Sequence, residues 1–439
     1  MTVAATTASS QPNQLLRDLR PAAFVVMFLL SWIGVDPFPN LTPDTVLEAD
    51  KAASLLNLFA YLLIGGGAIA IALSIRPEAF RAGLQSFALP LLGWLIISVI
   101  TSSDPGLSLR RLTLTIIVIG MAIAVTILPL NLRQFARLLS GIALVILALC
   151  FAGGLLIPHL AIHQATDFPE PNLAGDWRGI YSHKNIAASI MVMFIFTGIL
   201  TVRAGERWLG IAVIVLSLVF MFLAAGKTAL AMLVPTLLLS LVFVNTRSTL
   251  LRAVIAIVPV LLINLATIGS VAWPEVGKIN KLFLPDASFT GRTDIWDFAL
   301  IKVRERPVFG FGFSAFWQTS ATMFGGKGDK EAAEAIDEDI VTLADHAHNA
   351  YLDVALTTGV PGLILTILWL IVQPLRDINR AKNNGASPAL LLYFVQIWLF
   401  CINFACLESL FYHRTDPVWF MLLIAVFGMT ALTHYKVRA

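Results

Sequence analysis

The stretch LLSGIALVILALCFAGGLLIP, residues 138–158, contains no charged residue over its whole length. A helix needs about 20 mostly apolar residues to cross a bilayer, because lipid offers the backbone polar groups no partner outside the helix itself. Outward from this stretch, similar windows recur near 22–38, 55–75, 86–101, 110–130, 186–202, 208–225, 228–245, 251–272, 350–373, 388–407 and 417–433. The 439 residues are 58% hydrophobic and 13% charged, whereas soluble domains carry roughly a quarter charged residues. The composition excludes a water-soluble fold. It predicts an all-α polytopic membrane protein with about twelve transmembrane helices, whose first partner is the lipid bilayer and which has no nucleic-acid partner.

The three cysteines, Cys150, Cys401 and Cys406, lie inside apolar runs. That excludes a disulfide framework or a cysteine zinc site and leaves them as small hydrophobes. Residues 1–20 read as a cytoplasmic, disordered N-terminal segment, and the apolar run after Arg17 and Arg20 as a retained first helix rather than a cleaved signal. Residues 21–272 then hold helices one to nine, 273–347 a large outer loop, and 348–439 helices ten to twelve with a short cytoplasmic tail.

Charge sets the orientation. With the N-terminus inside, the inner segments hold fifteen of the thirty Lys and Arg residues but only four acids: Asp18, Glu78, Glu206 and Asp377. Of the other fifteen basic residues, eight fall in the single long loop, so the short outer loops hold seven. This is the positive-inside bias, with both termini cytoplasmic. Within the long loop, Thr293–Val303 alternates Ile295, Trp296, Phe298, Ala299 and Leu300 with charges at helical spacing. Pro307 and Gly310-Phe311-Gly312-Phe313 follow. The pattern predicts an ordered cap on the membrane carrying short amphipathic helices, with a mobile lid over the acidic run from Glu331 to Asp345.

Ionisable groups near hydrocarbon are costly and mark function. Five groups stand on the outer side: Arg178-Gly179 with His183-Lys184-Asn185; Gly226-Lys227-Thr228; Gly291-Arg292-Thr293-Asp294-Ile295-Trp296; Asp345-His346-Ala347-His348-Asn349; and Glu408 with His413-Arg414-Thr415-Asp416. Arginine presents a planar fork that fits phosphate oxygens, so Arg178, Arg292 and Arg414, with Lys227, suit a diphosphate. His348, just before the tenth helix, suits general-base work, since a helix N-terminus favours the neutral ring.

Plainer readings apply nearby. Arg110, Arg111 and Lys184 fit snorkelling residues at the interface, and His159 and His163 interfacial loop positions. Trp296 and Trp317 fit interfacial anchors. Gly226-Lys227-Thr228 is no P-loop, for position 221 is Met and no strand precedes it. His346, His348 and His183 lack metal-ligand spacing relative to the acids, so no metal and no cofactor is expected.

Together these residues resemble a family. His348-Asn349, nine residues, then Gly359-Val360-Pro361-Gly362 is similar to the His-Asn-x9-Gly-x-x-Gly signature of the O-antigen ligase and Wzy-type polymerase superfamily. Gly291 to Trp296 resembles its Gly-Arg-x-x-x-Trp element, and Arg178 to Asn185 the Arg-Gly…His-Lys-Asn element of its exopolysaccharide-polymerase branch. The resemblance runs over roughly residues 170 to 420. It implies a GT-C-like helical fold in a bacterial inner membrane with a periplasmic active site. It implies a metal-independent glycosyltransferase that takes a glycan from an undecaprenyl diphosphate carrier. His348 and Arg292 would then be catalytic, with Arg178, Lys227, His183, Asn185, Arg414, Glu408 and Asn349 binding diphosphate or substrate. Lys227 departs from the family pattern, which often has Ser-Arg where Gly226-Lys227 stands here. The charge is kept and the bidentate fork lost.

The acceptor under this resemblance is either another glycan, making a polymerase, or lipid A-core, making an O-antigen ligase. Other polysaccharide export proteins are further expected partners. A non-catalytic lipid or glycan transporter and a structural membrane subunit remain as readings of another kind. The near absence of ionisable residues at mid-depth favours a one-sided enzyme over a transport path.

Overall fold

The computed structural model describes residues 14–42, 55–84, 88–167, 170–283, 289, 291–317 and 344–435. Each of the twelve apolar windows falls on a helix. In chain order the main helices are α1 (Gln14–Ile33), α2 (Leu55–Ile75), α3 (Ala88–Ile100), α4 (Pro105–Val125), α5 (Leu132–Leu156), α6 (Lys184–Arg203) and α7 (Arg207–Leu223). They continue as α8 (Lys227–Asn245), α9 (Thr249–Ala266), α10 (Arg292–Glu305), α11 (Ala350–Asn383), α12 (Pro388–Phe404) and α13 (Pro417–His434). Eight are long and apolar enough to cross a bilayer, and α3, α7 and α12 are shorter apolar helices. The protein is an all-α, multi-pass membrane protein; among the described residues the one extended pairing is an isolated bridge between Ile162 and Trp177.

Burial separates centre from periphery. In α6 and α13 the apolar window is 78% and 83% buried, against 22% in α2 and α9. The first pair forms the core, and the outer pair turns most of its side chains to where lipid would lie. Gly198 of α6 and Gly210 of α7 let those helices approach so closely that a Cβ at either would sit 2.5–2.7 Å from the other's carbonyl oxygen. Cys150, Cys401 and Cys406 are buried and unbridged, as their apolar surroundings predict.

Three boundaries differ from the sequence windows. α1 starts eight residues before the apolar window, because Arg20 is buried and donates to the carbonyls of Ile127 (2.7 Å) and Leu128 (2.8 Å) after α4. The ninth window breaks at Thr267 into α9 and the short helices Ile268–Ala272 and Pro274–Phe283. α11 runs on to Asn383 but departs from helical geometry at Gly359, where φ is 73°. A Cβ there would lie 1.9 Å from the Val308 carbonyl oxygen. Through this break the chain after α10 seats itself on α11, with Phe311 N–H donating to Leu356 O and Gly312 N–H to Thr357 O.

The described half of the outer loop has its own small core. Ile295, Trp296, Phe298, Phe311, Phe316 and Trp317 pack together against Ala347, Leu352 and Leu356. This is the ordered cap that the helical spacing predicts. Trp296 and Trp317, read from sequence as interfacial anchors, are instead buried in it, and each indole N–H has a protein acceptor. The mobile lid expected from Glu331 lies outside the described residues up to 343, as does the N-terminal segment 1–13. At the opposite end of the bundle, Arg133 and Arg137 approach Glu206, Arg252 contacts Asn379, and Lys382 reaches Val244 O. The alternation of loops had assigned all of these to one side.

Candidate active site at the outer mouth

Four chain segments meet where α6, α10 and α11 begin and α12 ends. Glu408, in the turn after α12, is their common point. Its Oε1 accepts from Arg292 Nη2 at 3.0 Å and from Asn185 Nδ2 at 3.3 Å, and its Oε2 lies 3.1 Å from His348 Nδ1. Arg292 also donates from Nη1 to Leu407 O at 2.6 Å. Burial works to raise the Glu408 carboxyl, but Arg292, then His348 and His346, outweigh it and hold the group well below the usual carboxylate range. Glu408 is therefore ionised and can only accept.

That fact sets the tautomer of His348. Facing an ionised acceptor, Nδ1 carries a proton and donates it, so in the neutral tautomer Nε2 is the acceptor. Three other histidines nearby have their acceptor nitrogens occupied by backbone. Lys184 N–H donates to His163 Nε2 at 3.3 Å, Asn185 N–H to His183 Nδ1 at 3.0 Å, and His348 N–H to His346 Nδ1 at 3.1 Å. Among the described residues, nothing donates to His348 Nε2. His348 also has a left-handed backbone, φ 47°, a conformation that costs a side-chain-bearing residue of order 1–3 kcal/mol.

The neighbouring side chains hold this strained residue in place. Asn349 is wholly buried. Its Oδ1 caps α11 by accepting from Tyr351 and Leu352 N–H, and its Nδ2 donates to Asn264 Oδ1 and Cys406 O. The sequence had placed Asn349 on the substrate; its polar atoms are in fact consumed in anchoring the helix. Asp353, one turn on, accepts from Trp317 Nε1 at 2.7 Å and from Ala347 N–H at 3.1 Å, and takes the Ser409 hydroxyl. It thus ties the residue before His348 to the residue after Glu408.

The other candidates stand at different places. His183 caps α6 and donates through Nε2 to Glu170 Oε2 at 2.7 Å. The His183 hydrogen bond, against burial and with further help from the charges of His183, His348 and His163, lowers the Glu170 carboxyl, so Glu170 lies within electrostatic reach of His348. His163 is not an interfacial loop residue. It is buried, 3.2 Å from Asp167, and burial with His183 and Arg178 nearby lowers it to about 4. Lys184 does not snorkel; it pairs with Asp176 at 2.5 Å.

Arg178 is also buried. Its two terminal nitrogens donate to Tyr181 O and Pro39 O, both at 3.0 Å, so it staples the loop after α1 to the start of α6 and makes no hydrogen bond to Arg292, His348 or Glu408. Lys227 is exposed on the first turn of α8, whose Gly226 packs on Ala188, one turn along α6 from Lys184, and it has no ion pair among the described residues. Arg414 sits apart from Glu408, beside Arg110 and Arg111.

One ligand atom each from His346, His348 and Glu408 lies within 4.8 Å of the others, a spacing that could hold a cation. Arg292 argues against one, since its guanidinium already neutralises the same carboxylate at 3.0 Å and would repel a divalent ion. Glu170, Asp353 and Ser409 were not singled out from sequence. Asp353 alone left a trace there, as an acid one turn inside an apolar span.

Part of the chain that carries these residues is similar to known proteins. Residues 180–367 match the sequence profile of the family described as O-Antigen ligase. The exopolysaccharide production protein ExoQ of Rhizobium meliloti is 25% identical over 244 residues, 53% of this chain and 54% of that protein. A Rickettsia conorii protein named "Putative polysaccharide ligase" is 27% identical over 138 residues, 30% of this chain and 32% of that one. A Rickettsia felis namesake is 26% identical over a stretch of equal length. The matched region spans between about a third and half of these relatives. The fold and site define a polytopic membrane protein with a polar mouth at one end. Its segment 180–367, which holds Arg292 and His348, is similar to the O-antigen ligase family, and the chain is also similar to an exopolysaccharide production protein.

Proposed function

We propose that this protein is a membrane glycosyltransferase that polymerises undecaprenyl-diphosphate-linked repeat units into exopolysaccharide or O-antigen chains, at the periplasmic face of a bacterial inner membrane. The observation that carries the proposal is the His348–Glu408–Arg292 constellation, in which, among the described residues, nothing donates to His348 Nε2. His348 Nε2 takes the proton from an acceptor sugar hydroxyl as that oxygen bonds to the anomeric carbon of the donor glycan. The bond from that carbon to the carrier diphosphate breaks, and the electron pair leaves with the diphosphate. Glu408 orients the ring and stabilises the imidazolium that forms, a role worth roughly 10²–10⁴-fold together with the base itself.

Arg292 spends two of its five N–H groups on Glu408 and Leu407, so three remain for phosphate oxygens. Lys227 would add a point charge to the leaving diphosphate. Arg178 acts behind the site as a staple.

The positive-inside count supports the periplasmic placement, and the similarity to an exopolysaccharide production protein supports an exopolysaccharide product. The test supplies the purified protein with lipid-linked repeat units alone. Products longer than one repeat are expected; if they appear only once lipid A-core is added, the ligase replaces the polymerase.

A further inference from the structure

The Gly359-Val360-Pro361-Gly362 element of α11 takes no part in the chemistry at the mouth, and the fold gives it another use. The break at Gly359 admits the chain that follows α10. Pro307 O accepts from Val360 N–H at 2.8 Å, and the N–H groups of Phe311 and Gly312 reach Leu356 O and Thr357 O. Gly362 makes room for Trp94 of α3, since a Cβ there would stand 3.1 Å from Trp94 Cδ1. The Trp94 indole donates to Thr358 O at 2.8 Å. Phe309 then stacks on Trp94, with ring centroids 5.8 Å apart and planes 8° from parallel.

Both supports lie inside spans, away from their ends. Trp94 stands six residues before Ile100, the last residue of α3, which is about 9 Å of helix. Gly359 stands nine residues after Ala350, the first residue of α11, or about 14 Å. Arg306 marks the upper boundary, where its Nη1 donates at 3.2 Å to Ser103 Oγ in the turn after α3. Below it Val308 and Phe309 remain 49% and 45% exposed. Ile97, one turn from Trp94, is exposed as well, and so are Val360 and Ile364, one turn apart on α11. None of these side chains is charged, and exposing them to water is unfavourable. Irregular backbone is tolerated at membrane depth where protein supplies its hydrogen-bond partners, as the broken stretch of α11 does here.

We propose that Pro307-Val308-Phe309 is a wedge that re-enters the bilayer against α3 and α11, with the Val308 and Phe309 side chains resting on lipid acyl chains and Gly359 and Gly362 forming its seat. The partner is hydrocarbon because the exposed residues continue the lipid-facing stripes of two spans. The wedge ties the far end of α10, the helix that begins at Arg292, to a fixed depth in the membrane. It stands whether or not the protein polymerises glycans.

The test reads depth. The full chain carrying Val308→Cys is labelled with a fluorophore and placed in phosphatidylcholine nanodiscs whose lipids bear a nitroxide either on the headgroup or near the middle of an acyl chain. Cys150, Cys401 and Cys406 are buried, and the unaltered protein treated with the same reagent gives the background. The acyl-chain nitroxide should quench the label more strongly than the headgroup nitroxide, and aqueous iodide should leave it bright. Gly359→Ala, which puts a Cβ against the Val308 carbonyl, should move the label toward the headgroup nitroxide and iodide.

Quenching by iodide, or by the headgroup nitroxide at least as strongly as by the acyl-chain one, would place the loop at the surface and overturn the proposal. A label shielded from lipid and water alike would be covered by protein, which equally overturns it. Unchanged depth in Gly359→Ala would remove the glycine from the seat. Should that variant fail to fold, the label at Val308 in the otherwise unaltered chain still decides whether the wedge meets lipid.

Discussion

Both ends of the helical bundle bury cations, and they use them differently. At the end holding the 203–207 and 383–387 turns, Arg20, Arg252 and Lys382 donate to carbonyls at helix ends, a usual way to satisfy terminal C=O groups. Positive φ at that end falls on Gly205 and Gly385. At the opposite end, Phe38, Ala225, Phe289, Ser314, His348 and Tyr412 all adopt left-handed backbone while bearing side chains. There, too, one partly buried carboxylate serves Arg292, Asn185 and His348 together. One end spends polar groups on closing helices. The other holds strain and shared charge in reserve, as functional sites do.

The largest break in that contrast is His348→Ala. It should lower the rate of polymer formation by roughly 10²–10⁴-fold while the protein remains folded by circular dichroism. An unchanged rate in a strain lacking other copies would remove His348 from the chemistry. Next come Glu408→Gln and Arg292→Ala, each leaving a partner unsatisfied at a cost of about 1–3 kcal/mol. Their double variant should be less destabilised than the two losses added, because they share one contact.

Asp353→Asn sharpens the comparison by loosening the support and sparing the site. It should lower kcat about tenfold with little change in KM, on the scale of one displaced hydrogen-bonded group. A KM effect alone would mean that Asp353 meets substrate.

A pH series tests the shared carboxylate. The folded Glu408 group is lowered, so its stabilisation is fully present above its unfolded value of about 4.3 and is lost as pH falls from there toward the folded value. The gap in thermal stability between the unaltered protein and Glu408→Gln should therefore be constant from neutral pH down to about 5 and narrow below about 4. The smallest effect expected is that of a chelator. With Arg292 on Glu408, removing divalent ions should leave the rate unchanged; loss of activity restored by zinc would assign His346, His348 and Glu408 to a metal.

The helices were legible from the sequence because lipid imposes a length and an apolar composition on each span, and both are local properties. So was the cap helix Arg292–Glu305, whose spacing of Ile295, Trp296 and Phe298 predicted the face that packs. Arg292, His348 and Glu408 were singled out as ionisable groups on the predicted outer side, with Asn185 beside His183, and they do converge. Asn349 and Arg178 were misjudged because burial and backbone acceptors decide whether a polar side chain faces inward or toward the mouth, and neither can be read along the chain. Glu170 and Ser409 carried no signal, since an acid in an outer loop and a serine in a turn look the same whether they support a histidine or face water.

The sequence by itself determined that residues 138–158 and their counterparts form helices, and which loops share a side, because hydrophobic length and charge bias act span by span. Only the tertiary structure decided what those loops do together. It brought residues 185, 292, 348 and 408 onto one carboxylate, exempted one histidine among four from backbone hydrogen bonds, and set Arg110 and Arg111 beside Arg414. Distances between side chains on different helices depend on packing and on breaks such as Gly359, and helical periodicity carries no record of them.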